Sequence, residues 1–407
     1  MNEVGRAQYM LFSEGRIGPL TVPNRIVRSA TWDPSILGPR AMSQEVLDIY
    51  RRVAEGGAGL IITGDVSAVP PGLLDEGEPQ VSAGAYEQVR IANYGRLVDV
   101  VRRAAPRAGI VAQISADYPG VAPSSIASPW TGKRPRALTT HQVRAIAACL
   151  ADAIAGVQAQ GFDGVQFHAA HGGLLGSFLS PYSNRRQDEY GGSVRNRVRV
   201  IREAVDGARR RVGDFPILVK MNGTDYLEGG IDLDNMPDLA REIERAGVDA
   251  IEVSGGTWDC LLRSEEALGF RPVPAAESHT RIRNPEKQSY FLPYAERLDV
   301  DIPILLVGGN RNAERLEAIL RSGKVDFVSL CRPLICEPDL PNRWREGRGG
   351  RMAACISCNS CLYDMYTGLE RGEPGPVTCV RKHDPRRVGE AQRWLAKFVK
   401  ENVATET

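Results

Sequence analysis

Two rhythms of apolar residues alternate along this chain. Short, almost unbroken apolar runs at 24–31, 59–69, 109–115, 164–167, 216–222, 250–254, 302–309 and 326–332 read as strands covered on both faces, since a half-solvated strand would alternate apolar with polar. Between them the spacing shifts to steps of three and four. Ser43 caps a helix that stops at Gly56 and Gly57, and a second helix is predicted over 88–104. A third, capped by Thr140, puts Val143, Ile146, Leu150, Ile154 and Val157 on one face. Val194, Val198, Ile201, Val205, Ala208 and Val212 mark a fourth, and Met236, Leu239, Ala240 and Ile243 a fifth that Gly247 ends. Leu316, Ile319 and Leu320 line another, and a short one is predicted over 340–346. Eight strand-then-helix units predict an α/β fold of the (β/α)8 TIM-barrel class, followed by a C-terminal cysteine-rich extension. A doubly wound open sheet is the rival, but no Gly-x-Gly-x-x-Gly turn follows an early strand. The predicted division is a barrel over 1–349 and an extension over 350–407.

Composition narrows the partners rather than the fold. The 407 residues are 43% hydrophobic and 25% charged, a profile of neither a disordered nor a membrane-spanning chain. Charge is balanced, 51 basic against 50 acidic residues, which argues against a nucleic-acid surface. Residues 1–12 lack the pattern of a secretory leader, and the eight cysteines suit a reducing, cytoplasmic setting.

In a barrel of this class chemistry collects where the strands end. Those ends carry Thr31 and Trp32, Gly64, Gln113, His168 with His171, Lys220, Gly308 and Gly309, and Cys331 with Arg332. The two histidines lie across a strand-to-loop corner, which can turn both rings into one cavity; equally, a lone pair of this kind can serve local backbone hydrogen bonds. Gly308 and Gly309 taken alone read as an ordinary strand-ending turn. A polar insertion at 257–288, with Arg263, His279, Arg281 and Arg283, either lids the pocket and attracts an acidic substrate or is a solvated loop.

The stretch from His168 through His171 to Phe178-Leu-Ser-Pro-Tyr-Ser-Asn184-Arg185-Arg186-Gln-Asp188-Glu-Tyr-Gly-Gly-Ser resembles the Old Yellow Enzyme family of FMN oxidoreductases, and matching segments extend over nearly the whole barrel. The resemblance implies bound FMN, NAD(P)H as reductant and a small-molecule substrate. It makes His168 and His171 the donors to a substrate oxygen, on which negative charge builds as the neighbouring double bond is reduced. Gln113 then meets the flavin pyrimidine edge, Lys220 stabilises the reduced flavin, and Thr31, Trp32 and Gly64 border the ring. Gly308, Gly309, Cys331 and Arg332 match the phosphate site, with Cys331 where relatives have glycine. Two departures stand out. Gly173 replaces the tyrosine that protonates substrate in ene-reductases, leaving solvent, Tyr118, Tyr182 or Tyr226, and Trp32 stands where relatives carry a small residue or cysteine.

Cys355, Cys358, Cys361 and Cys379 follow the spacing Cys-x2-Cys-x2-Cys-x17-Cys, suited to a 4Fe-4S cluster or structural zinc, or left as free thiols. The wording around them is similar to the branch of the family with trimethylamine dehydrogenase and 2,4-dienoyl-CoA reductase, where such cysteines hold the cluster. Cys149, Cys260 and Cys336 read as buried filler. Three functions remain: reduction of an activated C=C bond, a dehydrogenase or desaturase exporting electrons through the cluster to a partner protein, and a barrel that has lost its flavin. A homo-oligomer stays open.

Overall fold

The computed structural model describes residues 9–32, 42–69, 94–371 and 376–402. Eight parallel strands form its centre: β1 (Ile26–Arg28), β2 (Leu60–Ile62), β3 (Gly109–Ser115), β4 (Gly164–Ala169), β5 (Ile217–Asn222), β6 (Ala250–Ser254), β7 (Ile304–Leu306) and β8 (Phe327–Leu330). Each pairs with its sequence neighbour, and β8 pairs with β1, so the sheet closes into a ring. The expected TIM barrel is the fold. Expected strand limits were generous at the ends: the run at 59–69 is two pieces, β2 and the short Val66–Ser67, which pairs with β3. The start of the helix predicted over 88–104 lies outside the described residues.

The outer helices are α1 (Gln44–Glu55), α2 (Gly95–Ala104), α3 (Thr140–Ala159), α4 (Arg199–Val212), α5 (Met236–Arg245), α6 (Leu292–Ala295), α7 (Ala313–Arg321) and α8 (Leu340–Glu346). Ser43 caps α1 as expected, its side chain accepting the Val46 N–H. The cap of α3 is Thr139 rather than Thr140, because Gln142 three residues on completes a reciprocal capping box. Among the described residues no helix is long and apolar enough to cross a membrane.

Two apolar layers hold the barrel. One lies between strands and helices; the other fills the ring, where Val27, Leu60, Val111, Leu218, Leu305 and Phe327 meet Ile17 and Val22. Ile17 and Val22 belong to an antiparallel hairpin, Gly15–Ile17 with Leu20–Val22, that plugs the N-terminal end. A Cβ on Gly15 would fall 2.4 Å from the Phe327 ring, so only glycine lets the hairpin sit so close. The extension adds α9 (Cys361–Glu370) and α10 (Val388–Asn402), joined to the barrel by backbone bonds between Arg311 and Ala353 and between Arg351 and Ala313.

Candidate active site

Two residues beyond the apolar plug, the same inward positions turn polar. Gln113 Nε2 donates to Gln166 Oε1 at 2.8 Å, and Gln166 Nε2 donates to Glu252 Oε2 at 2.9 Å. The other Glu252 oxygen accepts from Ser29 Oγ at 2.9 Å, and Lys220 Nζ stands 3.0 Å from Ser29 Oγ and 3.2 Å from Glu252. Lys220 is 4% exposed and Glu252 0%, so the charges survive only because each carries the other plus hydrogen bonds. Strand register causes this meeting, since Lys220 lies opposite both His168 on β4 and Glu252 on β6.

His168 is the last residue but one of β4, and His171 follows the corner in a left-handed backbone conformation, φ 58°. That turn brings the rings to 5.1 Å, edge to face. The His171 backbone N–H is held by Asn222 Oδ1 at 3.1 Å, and its Nε2 lies 2.7 Å from Ser254 Oγ. Burial lowers both imidazole pKa values, opposed at His168 by the Asp117 charge and reinforced at His171 by His168 and then Lys220, which holds His171 well below its usual range. Both rings are therefore neutral near pH 7, each with one N–H to give. His168 Nδ1 is buried without a hydrogen-bond partner.

His171 and Lys220 share one cavity with Gly308, Gly309, Cys331 and Arg332. Gly308 and Gly309 adopt φ of 103° and 73°, and a Cβ on Gly308 would meet Phe291 at 2.5 Å, so glycine is required twice over. Arg311, at 4% exposure, lines the same cavity with its Nε unpaired, as do Asn310 Oδ1 and Ser329 Oγ. Burial lowers the Arg311 pKa, with the positive charges of Arg332 and Arg283 adding to it. Two buried guanidiniums beside two glycines and three orphaned polar atoms fit the phosphate and ribityl chain of FMN. Arg332 is shared, for one of its Nη atoms donates to the carbonyl of His279 at 2.9 Å and to Asn359.

Of the other predicted residues, Thr31, Trp32, Gly64, Gln113 and His168 are not among those lining this cavity. Thr31 Oγ1 is 3.3 Å from Cys331 Sγ, and the Gly64 N–H is taken by Tyr50 at 3.0 Å. Trp32 is 40% exposed and so does not pack the barrel core. A Cβ on Gly173 would lie 2.9 Å from Asp117 Oδ1, which accepts the Leu174 N–H. The room for a side chain there is taken by Asp117.

Sequence reasoning missed Glu277, whose carboxylate enters the cavity from the insertion. Burial raises its pKa, countered by Lys220, His168 and Arg332. The insertion is a lid rather than a solvated loop. Its carbonyls at Glu277, Ser278 and His279 accept from Tyr290 Oη (2.6 Å), Asn359 Nδ2 (2.8 Å) and Arg332. The His279 ring is stacked between Phe270 and Tyr290, at 3.6 and 3.8 Å.

Cys355, Cys358, Cys361 and Cys379 line a second cavity, which also touches Arg332. Cys336 lines it too, hydrogen-bonded to Cys379, so its reading as filler is incomplete. That bond, with backbone N–H groups of Lys382 and Arg381, lowers the Cys379 thiol to about 6. Among the described residues no three His, Cys, Asp or Glu side chains gather closely enough for a single metal ion.

The model of the NADH:flavin oxidoreductase / NADH oxidase family matches residues 10–350. The chain belongs to that family. Its members are FMN oxidoreductases of the Old Yellow Enzyme kind, working with NAD(P)H. An NADH oxidase of Thermoanaerobacter brockii is 33% identical over 359 residues, 86% of this chain and 52% of that protein. A cinnamate reductase of Clostridium sporogenes is 28% identical, covering 86% of this chain and 54% of its own. A solved complex of 2-naphthoyl-CoA reductase with 2-naphthoyl-CoA superposes with a TM-score of 0.76 at 22% identity, over 94% of this chain and 58% of that one, a likeness of fold. This chain thus spans about half the length of these relatives.

Proposed function

We propose that this protein is an FMN-dependent oxidoreductase that reduces the activated C=C bond of a carbonyl compound at the expense of NAD(P)H. One observation carries the reading: His171, its backbone N–H held by Asn222 and its ring by Ser254, lines the cavity that also holds Lys220 and the glycine-arginine cradle, with the His168 ring 5.1 Å from its own. Bound FMN supplies the two-electron reduction. Gly308, Gly309, Arg311 and Arg332 would hold its phosphate, and Lys220, locked to Glu252, would bring a fixed positive charge to the ring. Neutral His168 and His171 donate N–H bonds to the substrate oxygen, and their rigidity means that the growing negative charge meets donors already in place. Asp117, open to water beside Gly173, leaves the carbon's proton to solvent rather than a fixed phenol.

Cys355, Cys358, Cys361 and Cys379 are assigned to a 4Fe-4S cluster in an extension over 350–407, distinct from the barrel over 1–349. The four thiols line one cavity, and their Cys-x2-Cys-x2-Cys run suits a cluster. That cavity favours a second reading, a dehydrogenase passing electrons through the cluster to a partner protein. Anaerobic stopped-flow separates them: bleaching of flavin absorbance by NAD(P)H alone, reversed by an α,β-unsaturated carbonyl compound, supports the reductase, and bleaching by substrate without nicotinamide overturns it.

A further inference from the structure

A third cavity, of about 360 Å³, opens between the lid and the extension. Arg271, Arg281 and Arg283 line it from the lid, with Ser357 and Cys358 behind and Gln392 and Ala396 of α10 opposite. Among the described residues no acidic side chain lines it. Arg271 and Arg283 form no ion pair among the described residues, and Arg281 reaches its nearest carboxylate, Glu265, only at 3.9 Å between two exposed side chains. Arg281 is also held at φ 55°, a conformation disfavoured for a residue with a Cβ, which fixes where its side chain leaves the backbone.

The wall between this cavity and the cradle is thin. Ser357 lines both, itself at φ 54°, and its Oγ accepts from Arg311 at 3.1 Å. The Arg283 charge also lowers the pKa of Arg311, after burial and Arg332, so the two cavities' arginines lie within electrostatic reach of each other. Three arginines line one cavity with a single long ion pair, Arg281 to Glu265, among them, and an anion between them lowers their mutual repulsion while gaining charge-assisted bonds.

We propose that this cavity is an anion subsite, separate from the cradle at Gly308 and Gly309, which takes the phosphate-bearing end of a nucleoside diphosphate ester. The ester is the tail of a thioester substrate or of the nicotinamide reductant; only this choice of sources rests on the reductase reading. The concave shape and its size suit a small molecule rather than the face of a protein.

Flavin-loaded full-length protein is titrated calorimetrically with inorganic pyrophosphate at low salt, so the readout does not depend on turnover. Saturable binding is expected, about tenfold weaker in Arg281→Ser/Arg283→Ser. Ala396→Glu puts a negative charge in from exposed α10 and weakens it similarly without touching the lid. Displacement of pyrophosphate by coenzyme A identifies the substrate tail, and displacement by NADP+ the reductant. Displacement by neither overturns the nucleotide assignment. Absence of pyrophosphate binding, or equal binding in both variants, overturns the subsite and leaves the arginines as a surface for an acidic macromolecule.

Discussion

The two ends of the barrel interior are built from the same inward-facing positions and do opposite things. At the floor, Val111, Leu218, Ala250 and Val27 close on the hairpin plug; two residues further along the same strands stand Gln113, Lys220, Glu252 and Ser29. A step of two keeps a strand residue on one face, so a single step changes the wall from packing to chemistry. The floor gains from water exclusion, and the rim pays for burying charge with a continuous chain of hydrogen bonds. The two layers of each strand are therefore held by different means, apolar packing below and paired charge above.

The contrast breaks most sharply when a floor residue and a rim residue are each removed. Phe327→Ala opens a cavity beneath the hairpin, with an expected loss of about 3–5 kcal/mol in urea unfolding and unchanged KM in the surviving fold. Glu252→Leu leaves Lys220 as a lone buried charge, with a comparable loss of about 3–5 kcal/mol; unlike the floor change, it is relieved by Lys220→Met in the same chain. A double mutant no better than Glu252→Leu alone would mean that the pair is not the reason for the cost.

Next in size is His171→Ala, with kcat on an unsaturated carbonyl substrate expected to fall about 10²–10³-fold, or about 2.7–4 kcal/mol, while the melting temperature stays near that of the parent. A fall in stability with unchanged kcat would place this residue with the floor instead.

Acid should act on the lid. Burial pushes the His279 pKa down from 6.5 to about 3. The unfolded chain then binds the proton that the folded chain refuses, so its contribution is constant above about pH 6.5. Stability falls by up to about 1.4 kcal/mol per pH unit below that, levelling near pH 3. His279→Phe keeps a ring between Phe270 and Tyr290 and flattens that slope. The smallest effect is expected far from either end, where Thr139→Ala removes the α3 cap at about 1 kcal/mol with no change in rate.

The fold was legible because the barrel strands are apolar on both faces and the helices keep a strict stripe. His168, Lys220, Gly308 and Arg332 were legible because strand ends can be listed once the strands are known. Gln166 and Glu252 were not, since each is a single polar residue inside an apolar run and only register reveals the partner that makes it tolerable. Arg311 could have been found as the second residue after Gly309, but its burial depends on Ser357 of the distant extension. Glu277 lies in a stretch whose polar composition reads as solvated, and its burial is decided by the donors that tether the carbonyls around it.

Those tethers come from three places: Tyr290 before α6, Arg332 after β8, and Asn359 in the cysteine loop. To swing outward the lid must give up all three acceptors at once, and donors left stranded cost about 1–3 kcal/mol each. Opening is thus a rare, concerted event rather than fraying. Amide hydrogens over 276–280 should exchange with solvent as one slow group, and weakening the grip at Asn359 quickens every one of them together.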